Sequence, residues 1–172
     1  MTNNDSDPPD FTPVTRVELK RADIGEMVMS DELLRSAPVV RAMGEGAKAL
    51  IKAGLGRRYP DKVPVFRQAE TGDSLFLVLK GEARLFAVSG EDTVEVGSAG
   101  KGEVFGEDEI LNGKGVRSLS AIAAGELHAV ELPYRAVFDC GRERPNLNLY
   151  LKELHARRRA ARDEIAAFLD RW

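Results

Sequence analysis

The sequence predicts a mainly β domain, an antiparallel barrel or sandwich with helices before and after it. Short runs rich in Val, Leu and Phe follow one another at near-regular spacing: "VPVFR", "SLFLVLKG", "EARLFAV", "DTVEVG", "RSLSAIAA" and "ELHAVEL". Turn signals punctuate them, namely "TGD", "KG", "SGED", "GKG" and "AG". On either side of this block the apolar spacing becomes helical. At 172 residues the chain is long enough for one domain with a sizeable core.

Residues 1–16 carry Asp5, Asp7, Asp10 and three prolines with little apolar content, and are expected to be a disordered tail. Residues 17–56 are expected to form short helices. Ser30 reads as an N-cap for "DELLRSA", Pro38 interrupts, and "GEGAKALIKAG" makes a second helix ending near Gly54. Residues 57–133 are the β block, within which "GEDEIL" reads as one helical turn.

Residues 134–172 are helical again, with Pro145 opening the last helix. There Leu147, Leu151, Leu154, Ala161, Ile165, Phe168 and Trp172 recur at four- and three-residue steps, broken by Arg158. That is a heptad stripe. A helix of about 26 residues reaches about 39 Å and overhangs a small barrel. Its uncovered part predicts a homodimer seam; core packing within one chain is the alternative.

Composition excludes several classes. The formal net charge is −3, which gives no global surface for nucleic acid. "ARRRAARDE" reads as a solvated helical face with partners such as Arg159 and Asp163, so DNA is not an expected partner. Cys140 is the lone cysteine, which fits a reducing compartment. The polar, acidic N-terminus is unlike a signal peptide, and Leu75 to Leu79 is too short to cross a bilayer. A cytoplasmic protein without membrane contact is expected. His128 and His155 lie far apart, so no metal site is expected, and His128 reads as a surface or rim residue. Neither a nucleophile elbow nor a "GxxxxGK[ST]" loop occurs. An enzyme is not expected, and an enzyme on a cupin-like jelly roll would need the missing histidine cluster.

The chemically pointed segment is "GEVFGEDEILNGKGVRS", Gly102 to Ser118. If "RSLSAIAAG" is a strand, Arg117 shares its phase with Leu119, Ala121 and Ala123, the core-facing one. An unpaired buried guanidinium costs several kcal/mol, so an anion must meet it. Two anions remain open: a carboxylate of Glu107, Asp108 or Glu109, or a ligand phosphate accepting two parallel hydrogen bonds. Gly102 and Gly106 flank Phe105 and allow close backbone approach, and the "GEDEIL" turn would present free N–H groups. The candidate ligand-binding residues are Gly106, Glu107, Asp108, Arg117 and Ser118. Glu107 would accept from a sugar hydroxyl and Ser118 would add a hydroxyl to the phosphate. Asp108 and Glu109 are expected mainly to decorate a solvated face at the start of the turn.

"TGDSLFLVLKGEARLF", "GKGEVFGEDEIL" and "VRSLSAIA", in this order, resemble the cyclic nucleotide-binding domain family. The resemblance runs from about Leu34 to about Leu154. It implies an antiparallel jelly-roll β-barrel with short N-terminal helices, a long C-terminal helix, and a phosphate-binding cassette at 102–118. It implies cyclic AMP or cyclic GMP as ligand and no metal. Arg117 would hold the cyclic phosphate, Glu107 the ribose 2′-hydroxyl, and Gly72, Gly81 and Gly102 the barrel turns. The ten-residue step from Glu107 to Arg117 is similar to the bacterial receptor branch. Asp108 and Glu109 stand where the family usually has Leu and then Ala or Gly, so Glu109 would either repel a phosphate or itself neutralise Arg117. Leu119 replaces a usual alanine, and the given sequence ends at Trp172 without a winged helix-turn-helix. The expected function is a stand-alone, non-enzymatic sensor, a homodimer whose last helix moves when a cyclic nucleotide binds and so alters contact with a separate effector protein. The alternative is a barrel that lost its ligand and serves as a protein-interaction module.

Overall fold

Two long strands form the centre of the sheet in the computed structural model, which describes residues 17–18, 24–113 and 115–170. They are β4 (Ser74–Ser89) and β7 (Ser120–Pro133), paired antiparallel with Leu77 opposite Val130 and Ala83 opposite Ala123. The sequence reading divides each of them at a glycine signal. The chain bends there instead of breaking. Gly81 and Gly125 take φ of +84° and +71°, a left-handed conformation that costs glycine little, and the pairing shifts register between Val78 and Glu82.

The flanking strands are β1 (Val17–Glu18), β2 (Leu55–Tyr59), β3 (Pro64–Phe66), β5 (Asp92–Ala99) and β6 (Val104–Phe105). The pairing path runs β1-β2-β7-β4-β5, with β3 on β7 and β6 on β4, antiparallel throughout. Among the described residues this path is open at both ends, so the antiparallel architecture is as expected but no closed ring of strands forms. Val17–Glu18 and the first two residues of β2, Leu55 and Gly56, pair as strand where helix was expected, because β1 and β2 satisfy each other's backbone along one edge.

The N-terminal helices are α1 (Ile24–Ser30), α2 (Glu32–Ser36), α3 (Pro38–Met43) and α4 (Ala47–Lys52), with one 3-10 turn at Gly44–Gly46. The cap is Asp31, not Ser30. The Asp31 side chain accepts from the Leu34 N–H at 3.1 Å, while the Ser30 hydroxyl donates back to Met27 O at 3.0 Å. Pro38 opens α3, where its missing N–H costs nothing.

Alternation along β4 divides the interior in two. Leu75, Leu77 and Leu79 face the helices and pack with Val39, Leu50 and Ile51. Phe76 and Val78 face the other way, into a cluster with Phe66, Leu85 and Phe105. Phe76 and Phe105 stack with ring centroids 5.1 Å apart.

After β6 come α5 (Asp108–Asn112), α6 (Tyr134–Glu143) and α7 (Pro145–Leu169). Leu147, Leu151 and Leu154 of the heptad stripe are buried in the chain's own helical core, and Ile165 packs on the second cluster. The stripe is therefore intramolecular along most of its length. The reason is that α7 lies against α3 and β5 rather than overhanging the sheet. Phe168 is the one described member of the stripe that stands largely exposed. Trp172 lies outside the described residues, as does the expected tail at 1–16.

Candidate functional site

Arg117 lies three residues before β7 begins, so strand phase is not what buries it. Its backbone is clamped to the "RQAE" segment instead. The Arg117 N–H donates to Glu70 O and the Ala69 N–H donates to Arg117 O, both at 2.7 Å. This turns the side chain inward, where it is 4% exposed. It runs past Gly72, where an added Cβ would sit 2.5 Å from Nε, and lies 4.2 Å from the Phe66 ring centroid. Nε itself is buried without a hydrogen-bond partner.

The anion that Arg117 requires is supplied by the chain. Nη1 donates to Glu109 Oε2 at 2.7 Å and also reaches Ser74 O at 2.8 Å and Gly106 O at 3.1 Å. The other oxygen, Oε1, accepts from the Ser118 backbone N–H at 3.2 Å. One carboxylate therefore bridges the guanidinium and the Ser118 N–H. Of the three acids in the segment, Glu109 makes this contact because α5 starts at Asp108 and rolls the next residue inward. The expectation that Glu109 decorates a solvated face is corrected: it is buried, and only its pairing offsets the desolvation.

Tyr134 closes the cluster. Its hydroxyl sits beside Gly106 O and 2.6 Å from Glu109 Oε2. Burial pushes this phenol far above its ordinary range, so it acts as a neutral donor. Tyr134 opens α6, distant in sequence from the cassette, and no sequence signal marked it.

The remaining candidates face α7. Glu107 Oε2 accepts from Arg158 Nη1 at 2.7 Å, with both side chains largely buried. Burial pushes the Glu107 carboxyl upward, and the Arg158 guanidinium opposes that shift. Asp108 Oδ1 lies 2.6 Å from His155 Nδ1. Glu107 is thus engaged by a protein cation where a ribose hydroxyl was expected. Gly106 takes φ of +81° and contributes its carbonyl, not its N–H, to the cluster. Arg158, read from sequence as a gap in the apolar stripe, is the residue that docks α7 on the cassette.

Space is distributed unevenly. Between Phe66, Gly106, Glu109 and Leu119 only about 10 Å³ is free, too little for any ligand group. Outside it, a cleft of about 570 Å³ opens between Gln68 and Ser118 on one side and Arg158, Arg159 and Arg162 on the other. Glu107, Asp108 and Arg117 also reach its wall. Among the described residues no acid, His and Cys cluster suits a metal, and no helix is long and apolar enough to cross a membrane.

Residues 56–143, about half of the chain, match the cyclic nucleotide-binding domain family. The chain belongs to this family. A stretch of 77 residues is 38% identical to the cyclic AMP receptor protein of Thermus thermophilus, covering 44% of this chain and 35% of that one. The chain thus spans about a third of the length of that curated relative. The crystal structure of the Thermus thermophilus catabolite activator protein aligns with a TM-score of 0.64 at 29% identity, over 77% of this chain and 63% of that one. The sensor domain of the transcriptional regulator DNR from Pseudomonas aeruginosa aligns with a TM-score of 0.68 at 14% identity, covering 83% and 95%. The regulatory domain of Toxoplasma gondii PKA, determined with cAMP, aligns with a TM-score of 0.63 at 22% identity, covering 76% and 49%. These last two likenesses show the fold alone.

Proposed function

We propose that this cyclic nucleotide-binding domain is a non-enzymatic, cytoplasmic regulatory module that takes cyclic AMP or cyclic GMP in the cleft between its cassette and α7. The output is a shift of α7 that changes contact with an effector protein. One observation carries the reading. Consecutive cassette acids, Glu107 and Asp108, hold Arg158 and His155 of α7 across the wall of a cleft large enough for a mononucleotide. An anion entering there competes with Glu107 for the Arg158 guanidinium, so occupancy and helix position are coupled.

The test is isothermal titration with each cyclic nucleotide, followed by hydrogen exchange of the α7 amides. Binding accompanied by altered exchange between His155 and Ile165 supports the module. Binding without any change in α7 removes the output mechanism.

A second reading rests on the Glu109–Arg117 contact. The guanidinium that would take a phosphate is already compensated inside the protein. On this reading the module docks a protein partner without ligand. Absence of heat with either nucleotide favours it.

A further inference from the structure

Three donors from separate places in the chain converge on one carboxylate. Arg117 Nη1 and the Tyr134 hydroxyl reach Glu109 Oε2 at 2.7 and 2.6 Å, and the Ser118 N–H reaches Oε1 at 3.2 Å. A guanidinium, a phenol and a backbone N–H set around two oxygens make an anion receptor. Its occupant is tethered, because Glu109 belongs to α5, the five-residue helix of the cassette.

The receptor borders the open cleft. Arg117 and Ser118 line the cavity of about 570 Å³ and also touch Glu109. On the side where Glu109 lies only about 10 Å³ is free, so no second anion fits beside its carboxylate. Two negative charges at one guanidinium also repel each other. An incoming anion and Glu109 therefore exclude each other at Arg117.

Helix α5 is built to yield. It rests on the helical core through Ile110 and Leu111, both only partly buried. Its end turns at Gly113, with φ of +69°, and among the described residues a Cβ added there would meet nothing within 4 Å. The acids hold the rest of it: Glu109 grips the receptor, and Asp108 Oδ1 lies 2.6 Å from His155 Nδ1 of α7. Adjacent residues of one short helix thus join the receptor to α7. Release of Glu109 draws Asp108 away from His155 as well.

We infer that Glu109 is a built-in competitor, which an anionic ligand must displace from Arg117 and which sets the ligand concentration at which this module responds. The inference deepens the cyclic nucleotide reading of the cleft and rests on it. It also complements the coupling through Arg158: competition for Arg158 admits the anion to the cleft, and release of Glu109 completes the site. Apparent affinity is the intrinsic affinity reduced by the fraction of molecules in which Glu109 has left the receptor. A neutral side chain at position 109 brings that fraction close to one and leaves a guanidinium in need of an anion.

The experiment is titration of cyclic AMP and cyclic GMP into the wild-type chain, Glu109→Gln and Glu109→Asp, each first shown to be folded by its urea transition. Glu109→Gln keeps the size of the side chain and loses its charge. It is expected to bind at least about tenfold tighter than the wild type, the scale of one charge-assisted contact. Glu109→Asp keeps the charge on a stem too short to span both donors. It is expected to gain less, and it carries the test if Glu109→Gln does not fold. A residue that only props the fold would not raise affinity when replaced, so a gain separates the two roles. Binding by Glu109→Gln beside a wild type that takes neither nucleotide also supports the competitor, as a site held shut. Affinity of the folded variants equal to or weaker than the wild type's overturns the competitor and leaves the cyclic nucleotide reading standing. Failure of all three proteins to bind either nucleotide overturns that reading itself, and this inference with it.

Discussion

Glu109 Oε2 lies 2.7 Å from Arg117 Nη1, and neither side chain is more than 3% exposed. The carboxylate spreads its oxygens over two donors, the guanidinium and the Ser118 N–H. Because it is tethered to the cassette, it faces Arg117 at a high effective concentration whatever the ligand level. Tyr134 and the Gly106 carbonyl complete the shell.

Breaking this pair leaves a buried, uncompensated guanidinium. Glu109→Ala is expected to lower stability by about 3–5 kcal/mol. Removing both charges together, as Arg117→Met with Glu109→Leu, is expected to recover most of that loss, because no ion is then buried. Urea denaturation of the three proteins decides it. A single Glu109→Ala variant as stable as the wild type is incompatible with a structural ion pair.

Glu107 gives a pH prediction with a definite sign. Its folded-state pKa is raised, first by desolvation, with Arg158 opposing. Its contribution to stability is therefore fully present below the unfolded carboxylate range and is lost as pH rises through the folded value. The stability of the wild type relative to Glu107→Gln is expected to fall between mildly acidic and neutral pH. Urea midpoints of both proteins across that range measure the difference. A difference that grows with pH would mean that attraction to Arg158 outweighs burial.

The first half of the α7 heptad stripe, Leu147, Leu151 and Leu154, serves the chain's own core. Leu151→Ala is expected to cost about 2–5 kcal/mol, the range for truncating a buried leucine. Its sedimentation behaviour is expected to match the wild type's. A variant of unchanged stability that dissociates a dimer would return the stripe to an interface.

Much of the architecture is legible in the residues themselves. The alternation of Leu75, Phe76, Leu77 and Val78, the helical turn at "GEDEIL" and the Pro145 start of the last helix are local signals, and local backbone preferences decide them. Strand ends are less legible. Gly81 and Gly125 look like turns in sequence, yet sheet pairing on both sides carries the chain through them. The candidate site follows the same division. Sequence alone required that Arg117 meet an anion and narrowed it to a ligand phosphate or one of three nearby acids.

Choosing among them took the tertiary structure. The start of α5 at Asp108 turns Glu109 inward and leaves Glu107 and Asp108 toward α7, where Arg158 and His155 meet them from about fifty residues away. The physical reason is range. Secondary structure and the need for a counter-charge depend on neighbours in the chain, whereas which carboxylate reaches the guanidinium depends on how separate elements pack.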